Sequence, residues 1–137
     1  MTIRLETELP DAVAYHELFE TTGWNAEYGA TPADLERANL NSWYAVSAWD
    51  GDRLVAFGRV VSDGILHAMV YDMIVRPAYQ RTGLGSQVLS RLVARCREAG
   101  IRDLQLFSAR GKTAFYLRNG FEPRPDDAPG MQLRPDA

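Results

Sequence analysis

The segment Gln80-Arg81-Thr82-Gly83-Leu84-Gly85, set between a strand-like and a helix-like run, carries the clearest chemical meaning in this chain. Glycine lets a backbone take dihedrals closed to side chains and lets it approach a bound group closely. The first amides of a helix lack internal acceptors and lie at the positive end of its dipole, so such a junction attracts anions, phosphate above all. Arg81 adds a cation beside them. A tight strand–helix turn that binds nothing would need the same two glycines. Two other phosphate patterns are set aside. A loop of the Gly-Lys-Ser/Thr kind needs a lysine that this segment lacks. A dinucleotide fingerprint needs a third glycine where Val88 stands, and a parallel unit around it.

The elements that must position this loop can be read on either side of it. Ile3 to Glu8 alternates like a short strand, and Ala14, Tyr15, Leu18 and Phe19 recur at helical spacing after Asp11. Thr31-Pro32-Ala33-Asp34 announces a second helix: a cap, a proline preset for the first turn, and an acid at the positive end. Trp43 to Trp49, Arg53 to Val61 and Ile65 to Val75 read as three antiparallel strands, turned at Asp50-Gly51 and Asp63-Gly64 and stopped by Pro77. Gly85 opens an amphipathic helix with Val88, Leu89, Leu92, Val93 and Cys96 on one face, closed by Gly100. A buried strand at Leu104 to Phe107, a short helix at Lys112 to Asn119 and a last strand at Gly130 to Leu133 complete the order. The expectation is one α/β domain over residues 1–137, with a mixed, mostly antiparallel sheet and helices on both faces.

The composition excludes several classes. The chain has 137 residues, 46% hydrophobic and 24% charged, with a net charge of -3 and one lysine, Lys112. That is an ordinary globular balance, weakly suited to a cationic substrate and unlike a nucleic-acid binder. The single cysteine, Cys96, rules out an internal disulfide framework and argues against a cysteine zinc site; no metal is expected. No basic-then-apolar leader and no run of about 20 apolar residues is present, so neither secretion nor membrane insertion is expected, and the cytoplasm is the expected compartment.

Two stretches carry a resemblance. Asp72-Met73-Ile74-Val75-Arg76-Pro77-Ala78-Tyr79-Gln80-Arg81-Thr82-Gly83-Leu84-Gly85 resembles the central motif of the GNAT superfamily of N-acetyltransferases. Phe115-Tyr116-Leu117-Arg118-Asn119-Gly120-Phe121-Glu122-Pro123 resembles its C-terminal motif, and the element order matches along nearly the whole chain. The resemblance implies acetyl-CoA as co-substrate and a primary amine as acceptor, on a small molecule or on a protein terminus or lysine. A module that binds acyl-CoA without catalysis is the alternative from another class. It also implies a sheet splayed between its fourth and fifth strands, where the pantetheine arm enters, and it allows a homodimer.

Position by position, the resemblance implies that Gln80, Arg81, Thr82, Gly83, Leu84, Gly85 and Ser86 hold the pyrophosphate. Met73, Ile74 and Val75 line the arm, with the Met73 N–H as donor to the thioester oxygen. Tyr116 is implied as the acid that protonates the departing thiolate. For the amine's proton the residues leave alternatives open. In a regular strand His67, Met69 and Tyr71 share a face with Met73, so the proton would leave through water at Tyr71 or His67. Asp72 faces the other way and grips the ammonium only if the strand bulges. Ser62-Asp63-Gly64, Tyr71-Asp72 and the Asp127-to-Met131 tail are similar to plastid arylalkylamine (serotonin-type) acetyltransferases. By that likeness Trp24, Tyr28, Trp43 and Tyr44 are candidate pocket residues.

Overall fold

The computed structural model describes residues 2–135. Its elements are β1 (Ile3–Glu6), α1 (Ala12–Glu20), α2 (Asn25–Tyr28), α3 (Pro32–Leu40), β2 (Tyr44–Asp50), β3 (Arg53–Ser62), β4 (His67–Val75), a 3-10 turn (Pro77–Tyr79), α4 (Leu84–Glu98), β5 (Asp103–Leu106) and α5 (Thr113–Arg118). One five-stranded sheet holds the strands in the order β1-β2-β3-β4-β5. Pairing is antiparallel from β1 to β4 and parallel between β4 and β5, as a helical crossover through α4 requires. The chain forms two compact units, one ending at Leu106 and one beginning at Phe107. The sheet and α1 to α4 belong to the first, α5 to the second.

Local chemistry sets the boundaries. Asp11 caps α1 by accepting from the Ala14 amide at 2.9 Å. Thr31 and Asp34 cap α3 reciprocally, with Thr31 N donating to Asp34 Oδ2 at 3.0 Å and Asp34 N to Thr31 Oγ1 at 3.1 Å. The Asp63 carboxylate accepts from the amides of Ile65, Leu66 and His67 at 2.8, 2.8 and 3.2 Å. Those bonds, Ile65's foremost, hold its carboxyl below the ordinary range. The Ile65 and Leu66 amides are thereby engaged by the Asp63 side chain, and β4 begins after them, at His67.

Helices cover both faces of the sheet, and neighbouring residues of β3 show it. Phe57 belongs to a cluster with Tyr15, Leu18 and Phe19 of α1 and Leu35 of α3. Gly58, one residue on, faces Val88 and Leu92 of α4. Successive strand residues point to opposite faces, so α1 with α3 and α4 lie on opposite sides.

Two expectations need correction, and one helix is added. Gly130 to Leu133 is no strand: Met131 and Leu133 are 85% and 87% exposed, and no backbone hydrogen bond involves this segment among the described residues. A strand exists only through a paired ladder, and Pro129 and Pro135 withhold donors on either side. Residues up to Glu8 were expected in the first strand, which ends at Glu6. The short helix α2, closed by Gly29 at φ 59, has too few residues to show a periodicity. Among the described residues no helix is long and apolar enough to cross a membrane.

Candidate functional site

The glycine loop is a turn with free donors. Gly83 stands at φ 85 as the residue before α4, and Arg81 also lies in the left-handed region at φ 63. The first amide of the helix to find an acceptor is that of Gln87, on Gly83 O at 3.1 Å. Among the described residues the amides from Arg81 to Ser86 have no acceptor at all. Thr82 Oγ1 donates to Tyr79 O at 2.6 Å and pins the entry to the turn. Consecutive unpaired N–H groups at a helix start are an anion site in waiting.

The strand that leads into the loop has an open edge. β5 pairs with β4 only over His67 to Val70, so Tyr71 to Val75 run on beyond the parallel ladder. The Arg76 amide donates to Val55 O of β3 at 2.8 Å. Alternation then turns the amides of Val75 and Met73 to the edge away from β3. The Val75 carbonyl on that edge accepts from Gln80 Nε2 at 2.9 Å, which ties loop to strand. Arg76 itself is buried, its guanidinium on Leu54 O at 2.9 Å and on Glu17 at 3.2 Å, and it fixes the strand's end against α1.

Between these paired stretches β4 is bulged. Phe57 pairs with Ile74 and Arg59 with Tyr71, so the single residue Gly58 opposes both Asp72 and Met73. Asp72 takes φ 56 to make this possible. The extra residue reverses the side-chain phase, which corrects the expectation for a regular strand. Met73 does not share a face with His67, Met69 and Tyr71. Its sulfur lies where a Cβ on Gly58 would stand, toward α4. Asp72 does not face away from Tyr71's side; it turns to Arg59, the residue that Tyr71 pairs with.

Asp72 therefore sits in a polar group on the α1 side of the sheet. Arg59 Nε donates to Asp72 Oδ2 at 2.7 Å, and Arg59 Nη1 donates to Ala38 O at 3.1 Å and Ser42 Oγ at 3.3 Å. The Arg59 guanidinium lies 5.8 Å from the centre of the Tyr71 ring. Nearby Tyr15 is buried, and its hydroxyl has no partner among the described residues. Burial first, then the negative charge of Asp72, pushes its phenol far above the ordinary value, while Arg59 opposes them. Neither Arg59 nor Tyr15 stood out in the sequence. The available signal was Gly58-Arg59 inside an otherwise apolar strand, since an interior glycine often marks a bulge or a close approach.

In the second unit Tyr116 lies on α5, its ring edge-on to Phe115 at 5.0 Å and Phe121 at 6.0 Å. Burial raises its phenol above the ordinary value, so it stays protonated at neutral pH. Other sequence candidates stand elsewhere. His67 Nδ1 is 3.0 Å from Asp103 Oδ2 on exposed side chains, within the closed part of the β4–β5 ladder. The rings of Trp43 and Tyr44 lie 4.6 and 5.8 Å from the Arg95 guanidinium of α4, across the sheet from the Asp72 group. Trp24 packs on the α1 core, and Tyr28 is 71% exposed beside Phe19. Trp43 and Tyr44 thus lie on the α4 side, whereas Trp24 and Tyr28 gather at Phe19 on the α1 side, so the four do not form one cluster.

Comparison with known proteins agrees with this geometry. A family model described as an acetyltransferase (GNAT) domain matches residues 41–123, which include the bulge, the loop and Tyr116. Serotonin N-acetyltransferase 2, chloroplastic, of Oryza sativa subsp. japonica is 40% identical over 79 residues, 58% of this chain and 40% of that protein. Histone acetyltransferase TAP1 of Glycine max is 32% identical over 84 residues, 61% of this chain and 36% of that protein. The matched segment thus spans 40% and 36% of these two curated relatives. Among solved structures, a GNAT family acetyltransferase from Streptococcus pneumoniae TIGR4 superposes with a TM-score of 0.82 at 29% identity, covering 97% of this chain and 98% of that one. The run of β4 that continues beyond its ladder with β5 and the donor-lined loop that follows both lie inside the matched segment, and that family match places this chain in the GNAT acetyltransferase family.

Proposed function

We propose that this chain transfers the acetyl group of acetyl-CoA to a primary amine of a small molecule, by direct attack of the neutral amine on the thioester. The observation that carries this reading is the continuity of unpaired donors, from the open edge at Met73 and Val75 to the free amides of Arg81 to Ser86. An extended arm with amides at one end and a pyrophosphate at the other matches that series. Gln80, Thr82, Gly83, Leu84 and Gly85 shape the loop, Arg81 adds charge, and Ile74 anchors the strand by packing in the core.

In the reaction the amine nitrogen bonds to the thioester carbon, and the oxygen takes up negative charge facing the Met73 N–H. The carbon–sulfur bond then breaks, and the thiolate takes the proton of Tyr116. The amine's own proton leaves through water beside Tyr71. A buried, protonated phenol suits the acid, because it donates at neutral pH and is not itself ionised.

The small-molecule acceptor is supported by the likeness to the serotonin enzyme. The relative named as a histone acetyltransferase supports a protein acceptor as the second reading. Thiol release from acetyl-CoA across a panel of arylalkylamines, polyamines and lysine peptides tests both. Release with small amines and none with peptides is expected; binding of acetyl-CoA with no acceptor accepted would refute the enzyme reading. Tyr116→Phe should lower kcat by about 10²–10⁴-fold while acetyl-CoA affinity is kept. An unchanged kcat would remove Tyr116 from the mechanism.

A further inference from the structure

Arg59 joins three parts of the first unit. Its Nε is on Asp72 Oδ2 at 2.7 Å and its Nη1 on Ala38 O at 3.1 Å and Ser42 Oγ at 3.3 Å, with the Tyr71 ring 5.8 Å away. Its side chain is 14% exposed and that of Asp72 23%. A guanidinium fixed by three acceptors cannot follow a substrate; it can hold something still. What it holds is the residue at φ 56 that forms the bulge opposite Gly58.

An L-residue enters the left-handed region against a steric penalty, which aspartate bears better than most. It stays only where its surroundings determine it. The peptide that carries the Met73 N–H begins at the Asp72 carbonyl carbon, so the Asp72 dihedrals aim that N–H. Resting on the acetyl-transfer reading, we infer that Arg59 is a positioning residue. By gripping the Asp72 carboxylate it holds the bulge, and thereby directs the Met73 amide to the open edge. The Asp72 carboxylate is engaged in that grip, with Tyr71 over the same guanidinium and the buried Tyr15 close enough to feel its charge, and it is not the acceptor of the amine's proton.

Kinetics on the full chain, with an amine that the wild type acetylates, test this. Arg59→Met keeps the stem but donates nothing. It should lower kcat by about 10–100-fold, the scale of a small misplacement, and leave KM for acetyl-CoA within about threefold because the loop is untouched. Adding Asp72→Gly should recover about tenfold of the loss, since glycine holds positive φ without a tether. A proton-accepting Asp72 predicts the reverse: the double variant slower than Arg59→Met, and the acid limb of the kcat/KM profile lost in Asp72→Gly. Either that result or an Arg59→Met kcat within about twofold of wild type overturns the inference.

Should Arg59→Met not fold, Arg59→Lys with and without Asp72→Gly makes the same comparison. If the wild type acetylates no amine, the acetyl-transfer reading fails separately. The Met73 amide resonance then decides: it should shift in Arg59→Met and return with Asp72→Gly, and an unmoved resonance overturns the positioning role.

Discussion

Replacing Gly83 with alanine separates the loop's shape from its surroundings. Gly83 has φ 85 and ψ 0, and a Cβ built on it meets nothing within 4 Å. Gly83→Ala therefore adds no clash, only the strain of an L-residue in the left-handed region, about 1–2 kcal/mol. The protein can carry that strain in two ways. If the loop keeps its shape, the fold loses the full amount and coenzyme A binds as before. If the loop relaxes, the fold keeps its stability and each binding event must restore the shape, so Kd rises by roughly 5–30-fold. Intermediate behaviour divides the same sum. Urea unfolding and calorimetric titration with coenzyme A measure the two parts, which together should reach about 1–2 kcal/mol. Acetyl-pantetheine, which lacks the pyrophosphate, is the control, and its affinity should not change. A variant with both stability and coenzyme A affinity unaltered would refute the account of Gly83. Equal weakening of the two ligands would refute the pyrophosphate assignment of the loop.

Thr31→Ala removes half of the reciprocal cap on α3 and should lower stability by about 1 kcal/mol in chemical unfolding. Asp63 has its folded-state pKa lowered by the amides of Ile65, Leu66 and His67, so its contribution is full above the ordinary carboxylate range and is lost as pH falls below about 4. Asp63→Ala should thus be less stable than wild type at pH 7, with the gap narrowing toward pH 3 in thermal melts. Gly58→Ala puts a Cβ 2.6 Å from Met73 Sδ and 2.9 Å from Leu92 Cδ1. Overpacking of this kind should reduce stability by about 1–3 kcal/mol, and a double-mutant cycle with Met73→Ala should recover part of it.

How far the sequence could be read depended on the range of the interactions. Helix starts at Asp11 and Thr31, turns at Asp50-Gly51 and Asp63-Gly64, and the donor loop at Gly83 are made by residues within a few positions of one another, and all were legible. So was the amphipathic α4, because its buried stripe repeats at the helical period. The last strand was not. Gly130 to Leu133 has a plausible pattern, yet a strand depends on a partner that no local pattern supplies. The side of the sheet that the aromatics cover was hidden for the same reason. Trp43 and Tyr44 were placed by their chemistry, whereas Arg95, about fifty positions along the chain, decides which side of the sheet they cover.

The bulge shows the most instructive limit. A strand read by alternation assigns every side chain from one phase, and a single inserted residue reverses all those beyond it. Asp72 and Arg81 are the two residues other than glycine with positive φ among those described. One precedes the Met73 amide and the other opens the free amides before α4, so they bracket the open edge of β4. Relaxation of either to the ordinary β region would return that backbone toward a plain strand or turn. Strain of about 1–2 kcal/mol at each is what a regular chain would avoid, and here it coincides with the donors that an extended anionic ligand needs. The sequence displays the donors at Arg81 to Ser86 because glycine marks them. It hides the one at Met73, because an aspartate held by an arginine thirteen positions away performs there what a glycine would announce.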